Sequence, residues 1–197
     1  MKKRVAILIS GSGSNMVSLV KSMRDDHPAR AVLVLSNKPD AGGLEKADDL
    51  GIATQVVESK PFGKDRAGFE SKLNDALELA KPDVICLAGF MRILSADFVA
   101  KWQGKILNIH PSLLPKYKGL NTHLRAIEAG DDQAGCSVHQ VTAQLDGGPV
   151  LGQACVQILA NDTPETLAAR ILPLEHKLYP DVLRIFVTGG QGQLNIP

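Results

Sequence analysis

The sequence is poor in the residues that mark specialised environments. Aromatics are 4% of its 197 residues, so the interior must be built mainly from aliphatic side chains. Cysteine occurs only as Cys86, Cys136 and Cys155, with no C-x-x-C pair. That spacing argues against a disulfide framework or zinc site and suits a reducing compartment. Neither sign of charge is in excess, and the formal net is +1. The electrostatic case for a nucleic-acid or membrane-surface partner is therefore missing. No apolar run approaches the roughly 20 residues that span a bilayer. The basic start, Lys2-Lys3-Arg4, leads into an apolar run that stops at Ser10, too short for a secretory core and cleavage site. A cytoplasmic protein is expected. Repeats and low-complexity linkers are also absent. Residues 1–188 are read as one domain, with a flexible tail over 189–197.

What is present is a set of short aliphatic runs separated by helical patterns. The runs cover residues 4–9, 30–35, 52–57 and 83–88, with another at 106–109. Runs of this kind suit strands covered on both faces, as in parallel sheets. Helical spacing falls over residues 16–20, 42–50, 66–80, 96–101 and 122–129, with Gly51 and Gly130 as stops. Ser14 or Asn15 is a candidate cap for the first helix, and Ser95 for the fourth. Residues 136–142 alternate, which predicts a strand exposed on one side. A turn at Asp146-Gly-Gly-Pro149 and a strand over 150–159 complete a hairpin. Asp162-Thr-Pro-Glu165 opens a helix running to about Val187, with disturbances expected at Pro173 and Pro180. The pattern predicts an α/β fold. It is a Rossmann-like open, mostly parallel twisted sheet with helices on both faces, a C-terminal hairpin and a long helix.

Ligands in such sheets bind beyond the carboxyl ends of the strands, and the unusual polar segments fall there. Gly11-Ser-Gly-Ser-Asn15 follows the first strand and opens a helix, an arrangement that aims backbone N–H groups at an anion; it also suits an ordinary tight turn. Gly89-Phe-Met-Arg-Ile-Leu94 leaves the fourth strand as an apolar loop, which reads as packing or as a pocket wall, and the sequence alone favours packing. Asn108 and His110 lie two apart at a strand end and so share a face. An amide can donate to a developing oxyanion, and an imidazole can move a proton near neutral pH. The same pair would also serve to anchor a loop. Asp146 sits at the hairpin tip. Ser112 lacks a nucleophile elbow, and His123, His139 and His176 read as structural or solvated, without metal-ligand spacing.

These motifs together resemble a known family. Gly11–Asn15, Ala88–Leu94, Asn108-Ile-His-Pro-Ser-Leu-Leu-Pro115 and Leu145–Pro149 occur in the order found in the folate-dependent formyltransferases, and residues 4–188 share the likeness. The glycine-rich turn and Gly119-Leu-Asn-Thr-His123 narrow it to the phosphoribosylglycinamide formyltransferases. The resemblance implies formyl transfer from 10-formyltetrahydrofolate to the amine of glycinamide ribonucleotide in purine biosynthesis, without a metal. It implies Asn108, His110 and Asp146 as the catalytic set. Gly13, Ser14 and Asn15 would hold the substrate phosphate and Glu175 its ribose. Folate would meet Arg66, Met91, Arg92, Ile93, Leu94, Asn108, Thr142, Ala143, Gln144, Leu145 and Asp146, with Arg66 toward the glutamate tail. Leu114–Pro115 would be cis. A monomer or homodimer is expected. Asn121 stands where many members carry His, and Leu172-Pro-Leu174 replaces a more polar run beside Glu175.

Three rival readings use the same residues. A formyltetrahydrofolate deformylase would use water as acceptor, but usually carries a further N-terminal domain. A methionyl-tRNA formyltransferase would normally add an RNA-binding C-terminal domain and basic charge. A binding module without catalysis has no need of Asn108, His110 and Asp146 together.

Overall fold

The computed structural model describes residues 1–190 and 192–196. The chain divides into two compact units, Met1–Leu107 and Asn108–Pro197. The described strands are mostly parallel and alternate with α-helices along the chain. This is the α/β class that the alternation of aliphatic runs and helical patterns predicts.

In the first unit, β1 (Lys3–Ile9), β2 (Ala29–Ser36), β3 (Thr54–Val56) and β4 (Val84–Leu87) pair in the order β3-β2-β1-β4, all parallel. β1 is central because Val5–Ile9 is aliphatic throughout, and all five side chains are fully buried. The helices are α1 (Ser14–Ser22), α2 (Gly43–Asp49), α3 (Arg66–Ala80) and α4 (Ala96–Lys101), with a single 3₁₀ turn at Lys60–Phe62. α3 buries Phe69, Leu73, Ala76 and Leu77, one stripe at helical spacing. Each large side chain so buried contributes about 1.5–3 kcal/mol. Ser95 caps α4 as expected, its Oγ accepting from Phe98 N–H at 3.2 Å. Neither Ser14 nor Asn15 caps α1. Gly13 occupies that position at φ 71°, with no side-chain cap.

The second unit holds the end of β5 (Ile106–His110), then β6 (Gln133–Gln140), β7 (Val150–Gln157) and β8 (Leu194–Ile196), in the order β5-β6-β7-β8. β6 and β7 form the antiparallel hairpin. β6 is not half-exposed as its alternation suggests, since Ala134–His139 are buried without a break. Its polar alternates, Ser137 and His139, have hydrogen-bond partners inside, which removes the need for solvent. α5 (Thr122–Glu128) and α6 (Pro164–Val187) complete the unit. α6 starts on a reciprocal cap: Thr163 Oγ1 accepts from Thr166 N–H, and Thr166 Oγ1 accepts from Thr163 N–H. It then runs unbroken through Pro173 and Pro180. Its apolar face, including Leu167, Ile171, Leu178, Tyr179 and Leu183, lies on β6 and β7, and that burial holds the helix through two missing N–H donors. Where the sequence suggests a flexible tail over 189–197, Leu194–Ile196 instead pairs in parallel with Gly152–Ala154. Positions 191 and 197 lie outside the described residues.

Candidate active site

β5 ends on Asn108 and His110, and both enter one polar cluster. His110 is 6% exposed despite its strand-end position. Its Nε2–H donates to the Tyr117 carbonyl at 2.9 Å, and its Nδ1 lies 3.5 Å from Asp146 Oδ2. Both ring nitrogens thus face oxygen atoms. Asp146 Oδ2 also accepts from Gly119 N–H at 2.9 Å. The other carboxylate oxygen is 3.6 Å from Nε2 of His139, a β6 residue. Asn108 Nδ2 lies 3.1 Å from that same nitrogen. His139 Nδ1–H donates to the Gln140 carbonyl at 2.9 Å.

Asp146 carries the charge of this cluster. Burial alone would push its carboxyl up, but His139, the Gly119 N–H and the charge of His110 outweigh it and hold the group below the usual carboxylate range. The loop over residues 141–149 presents Asp146 in a left-handed conformation at φ 44°. Thr142, Ala143, Gln144 and Leu145 in that loop are exposed.

A second polar node lies under the segment after His110. Ser137 Oγ donates to the Ser112 carbonyl at 2.6 Å and accepts from Leu114 N–H at 3.0 Å and from Gln153 Nε2 at 2.9 Å. Leu114–Pro115 is cis, as the family resemblance implies. His123 on α5 is pushed down from its ordinary value by burial and then by the charge of His110. Glu175 is buried on α6, so Pro173 does not displace it from the helix.

In the first unit, the turn Gly11–Asn15 is built by close approach of backbone. A Cβ on Gly13 would come within 2.8 Å of Gly43 Cα, so both space and φ require glycine there. Gly43 N–H donates to the Gly11 carbonyl at 3.0 Å, and Lys46 Nζ donates to the Ser12 carbonyl at 2.8 Å. Ser14 is half-buried and Asn15 buried. The loop after β4 does not pack inward as expected. Phe90 is buried, but Met91 is 64% and Ile93 63% exposed. Arg92 stacks over the Phe69 ring at 5.6 Å, and Leu94 is half-buried. Arg66 is exposed as the first residue of α3.

The sequence misses two members of the cluster around Asp146. His139 reads there as structural or solvated, yet it is 2% exposed and lies beside Asp146. Its place next to the hairpin turn that carries Asp146 is the only sequence signal for it. The Gly119 N–H has no side-chain signature at all. Among the described residues, no group of three or more His, Cys, Asp or Glu could hold a metal ion. None of their helices is long and apolar enough to cross a membrane.

An Asn, two His and an Asp are thus gathered where a strand ends. The sequence model of the formyl transferase family matches residues 3–183, and the chain belongs to that family. It is 46% identical to the phosphoribosylglycinamide formyltransferase of Escherichia coli strain K12, over 94% of this chain and 87% of that protein. It is 47% identical to the bovine trifunctional purine biosynthetic protein adenosine-3, but spans only 19% of that longer chain. The crystal structure of phosphoribosylglycinamide formyltransferase from Brucella melitensis matches with a TM-score of 0.90 at 52% identity, covering 98% of this chain and 99% of that one.

Proposed function

We propose that this protein is a cytoplasmic enzyme of purine biosynthesis that transfers the formyl group of 10-formyltetrahydrofolate to the amine of glycinamide ribonucleotide. The observation that carries the reading is Asp146, whose carboxylate faces His110 and His139 while Asn108 reaches the same imidazole. Membership of the formyl transferase family supports the reaction type. The names of the bacterial relatives support the acceptor.

The chemistry assigned to these groups balances without a covalent enzyme intermediate. The neutral amine attacks the formyl carbon, which is a positioning task. The carbonyl oxygen becomes an oxyanion, and Asn108 Nδ2–H with protonated His110 donates to it. One such donor is typically worth roughly 10²–10³ in rate. The tetrahedral intermediate then breaks its bond to the folate N10. The proton lost by the attacking amine passes to that nitrogen, with His110 as carrier, help worth about 10²–10⁴. His110 must give up its bond to the Tyr117 carbonyl to act through Nε2. Asp146 orients His110.

The ligand contacts follow the family resemblance. Gly13, Ser14 and Asn15 take the substrate phosphate at the α1 N-terminus, where backbone N–H groups favour an anion. Glu175 takes the ribose hydroxyls. Arg92, Leu94, Thr142, Ala143, Gln144, Leu145 and Asp146 hold the pterin, with Met91 and Ile93 as apolar wall, and Arg66 meets the glutamate tail. The exposure of Met91 and Ile93 supports a ligand-facing role, since large apolar side chains left bare often mark a binding surface. The 3–183 match supports a formyltransferase domain, and the proposed form is a monomer or homodimer without a nucleic-acid partner.

The test is an absorbance assay of 10-formyltetrahydrofolate with and without glycinamide ribonucleotide, run beside His110→Ala. Tetrahydrofolate formed only with the ribonucleotide, and lost in the variant, is the expected result. Formate released at a comparable rate without the ribonucleotide would replace the transferase with a hydrolase.

A further inference from the structure

Ser10 is the buried residue that directly follows β1 and opens the glycine-rich turn. Its own N–H donates to the Gly89 carbonyl at 3.1 Å, and its Oγ accepts from Met91 N–H at 2.8 Å. Those two bonds bracket Phe90, so one residue pins the start of the 89–94 loop at two points. The direction of the hydroxyl is also fixed. Ser10 Oγ donates its single proton to Asn37 Oδ1 at 2.5 Å, which leaves lone pairs for Met91. Asn37 Nδ2 in turn donates to Ser59 Oγ at 3.1 Å. Asn37 is 3% exposed, so this chain of bonds is shielded from competing water. Along the backbone, Ser10 runs directly into Gly11, whose carbonyl is held by Gly43. A single buried serine is therefore fastened to both loops, covalently to one and by hydrogen bonds to the other.

We infer that Ser10, aimed by Asn37, is a positioning residue that couples the glycine-rich turn to the 89–94 loop, so that a ligand ordering one loop tightens binding at the other. This rests on the reading that Gly13–Asn15 take the phosphate and Met91–Leu94 the pterin. Energetic coupling of this sort is reciprocal between the two ligands. Neither ligand needs to touch Ser10. What the two binding events share is the node at Ser10, which is bonded to both loops.

Tetrahydrofolate titrated into the full chain by calorimetry, with and without glycinamide ribonucleotide, measures the coupling, and steady-state kinetics accompany it. In the wild type, the ribonucleotide should tighten tetrahydrofolate binding by about fivefold or more. Ser10→Ala should raise the folate KM about 5- to 30-fold, the loss expected from one to two hydrogen bonds, with kcat within about twofold. The effect of the ribonucleotide on folate binding should shrink toward none. Ser10→Thr keeps the hydroxyl and should restore most of the coupling, which a general loss of stability would not predict. Asn37→Ala leaves the Ser10 hydroxyl present but unaimed and should move the same quantities the same way, should Ser10→Ala not fold. Wild-type folate KM and full coupling in Ser10→Ala would overturn the inference, as would an active wild type whose two ligands bind independently. Wild-type protein that neither turns over the formyl donor nor binds it would fail the functional reading itself, and the coupling with it.

Discussion

One carboxylate oxygen of Asp146 lies 3.5 Å from Nδ1 of His110, and it is the only acidic group that the structure sets against that nitrogen among the described residues. Asp146→Asn keeps the shape and removes the charge. The amide can still accept from Gly119 N–H, so folding should be little disturbed. kcat should fall about 10²–10⁴-fold, the range for lost acid–base help. Steady-state kinetics beside a melting curve separate the two effects. A kcat within about threefold of wild type would remove Asp146 from the proposed mechanism.

His139 holds the far side of the same carboxylate, and its Nε2 also lies 3.1 Å from Asn108 Nδ2. His139→Ala leaves the Asn108 amide without that partner and Asp146 with one imidazole neighbour. A decline of about 10- to 100-fold in kcat/KM is expected, the equivalent of one lost buried hydrogen bond. Because His139 acts through its neighbours, the pH profile of kcat should shift as well as the rate drop. An unchanged profile would mark His139 as packing only.

Stability should fall on mild acidification. Burial, with His110 adding for His123, holds His123 and His176 below the ordinary 6.5. The unfolded chain therefore binds protons first. The contribution of each neutral imidazole is complete above pH 6.5 and declines as pH falls through that value toward the lower folded one. Asp146 behaves differently: its depressed carboxyl contributes above the ordinary 3.8 and is lost only at lower pH. Urea midpoints taken at about pH 8, 6.5 and 5.5 should decrease in that order. His176→Gln should lessen the decrease. Equal midpoints at the three values would contradict the burial argument.

Pro173 sits exposed in the interior of α6. It withholds one helical N–H and makes no buried packing. Pro173→Ala should therefore raise stability, by up to ~3 kcal/mol on intrinsic propensity. The variant should keep activity, because Glu175 is held by the packed face of the helix. A lower melting temperature would mean that the proline shapes the helix in a way the rest of the molecule needs.

Asn121 adopts φ 56° ahead of α5, with no side-chain cap bond. Asparagine tolerates that left-handed conformation and glycine prefers it, whereas a β-branched residue is strained there. Asn121→Gly should be close to neutral in stability. Asn121→Val should cost about 1–2 kcal/mol. Equal effects of the two in a denaturant titration would count against the conformational explanation.

The sequence by itself determined the layers. Uninterrupted aliphatic runs such as Val5–Ile9 have no stable place except between two covered faces, and stripes such as Phe69, Leu73 and Leu77 bury only as helices. Local chemistry also determined the Ser95 cap, the hairpin at Asp146–Pro149 and the pairing of Asn108 with His110 on one strand end. Tertiary structure alone decided what depends on residues distant in the chain. Period-two alternation put a solvent face on β6, but internal partners for Ser137 and His139 buried it. The last residues carry no strand signal of their own, and β8 exists because β7 offers an edge to pair with. His139 and the Gly119 N–H reach Asp146 because a strand and a loop converge there, and such convergence is set by packing. The same reason hid Ser10: its partners Asn37 and Met91 are 27 and 81 residues away along the chain. A hydrogen bond over that separation leaves no periodic trace in a sequence.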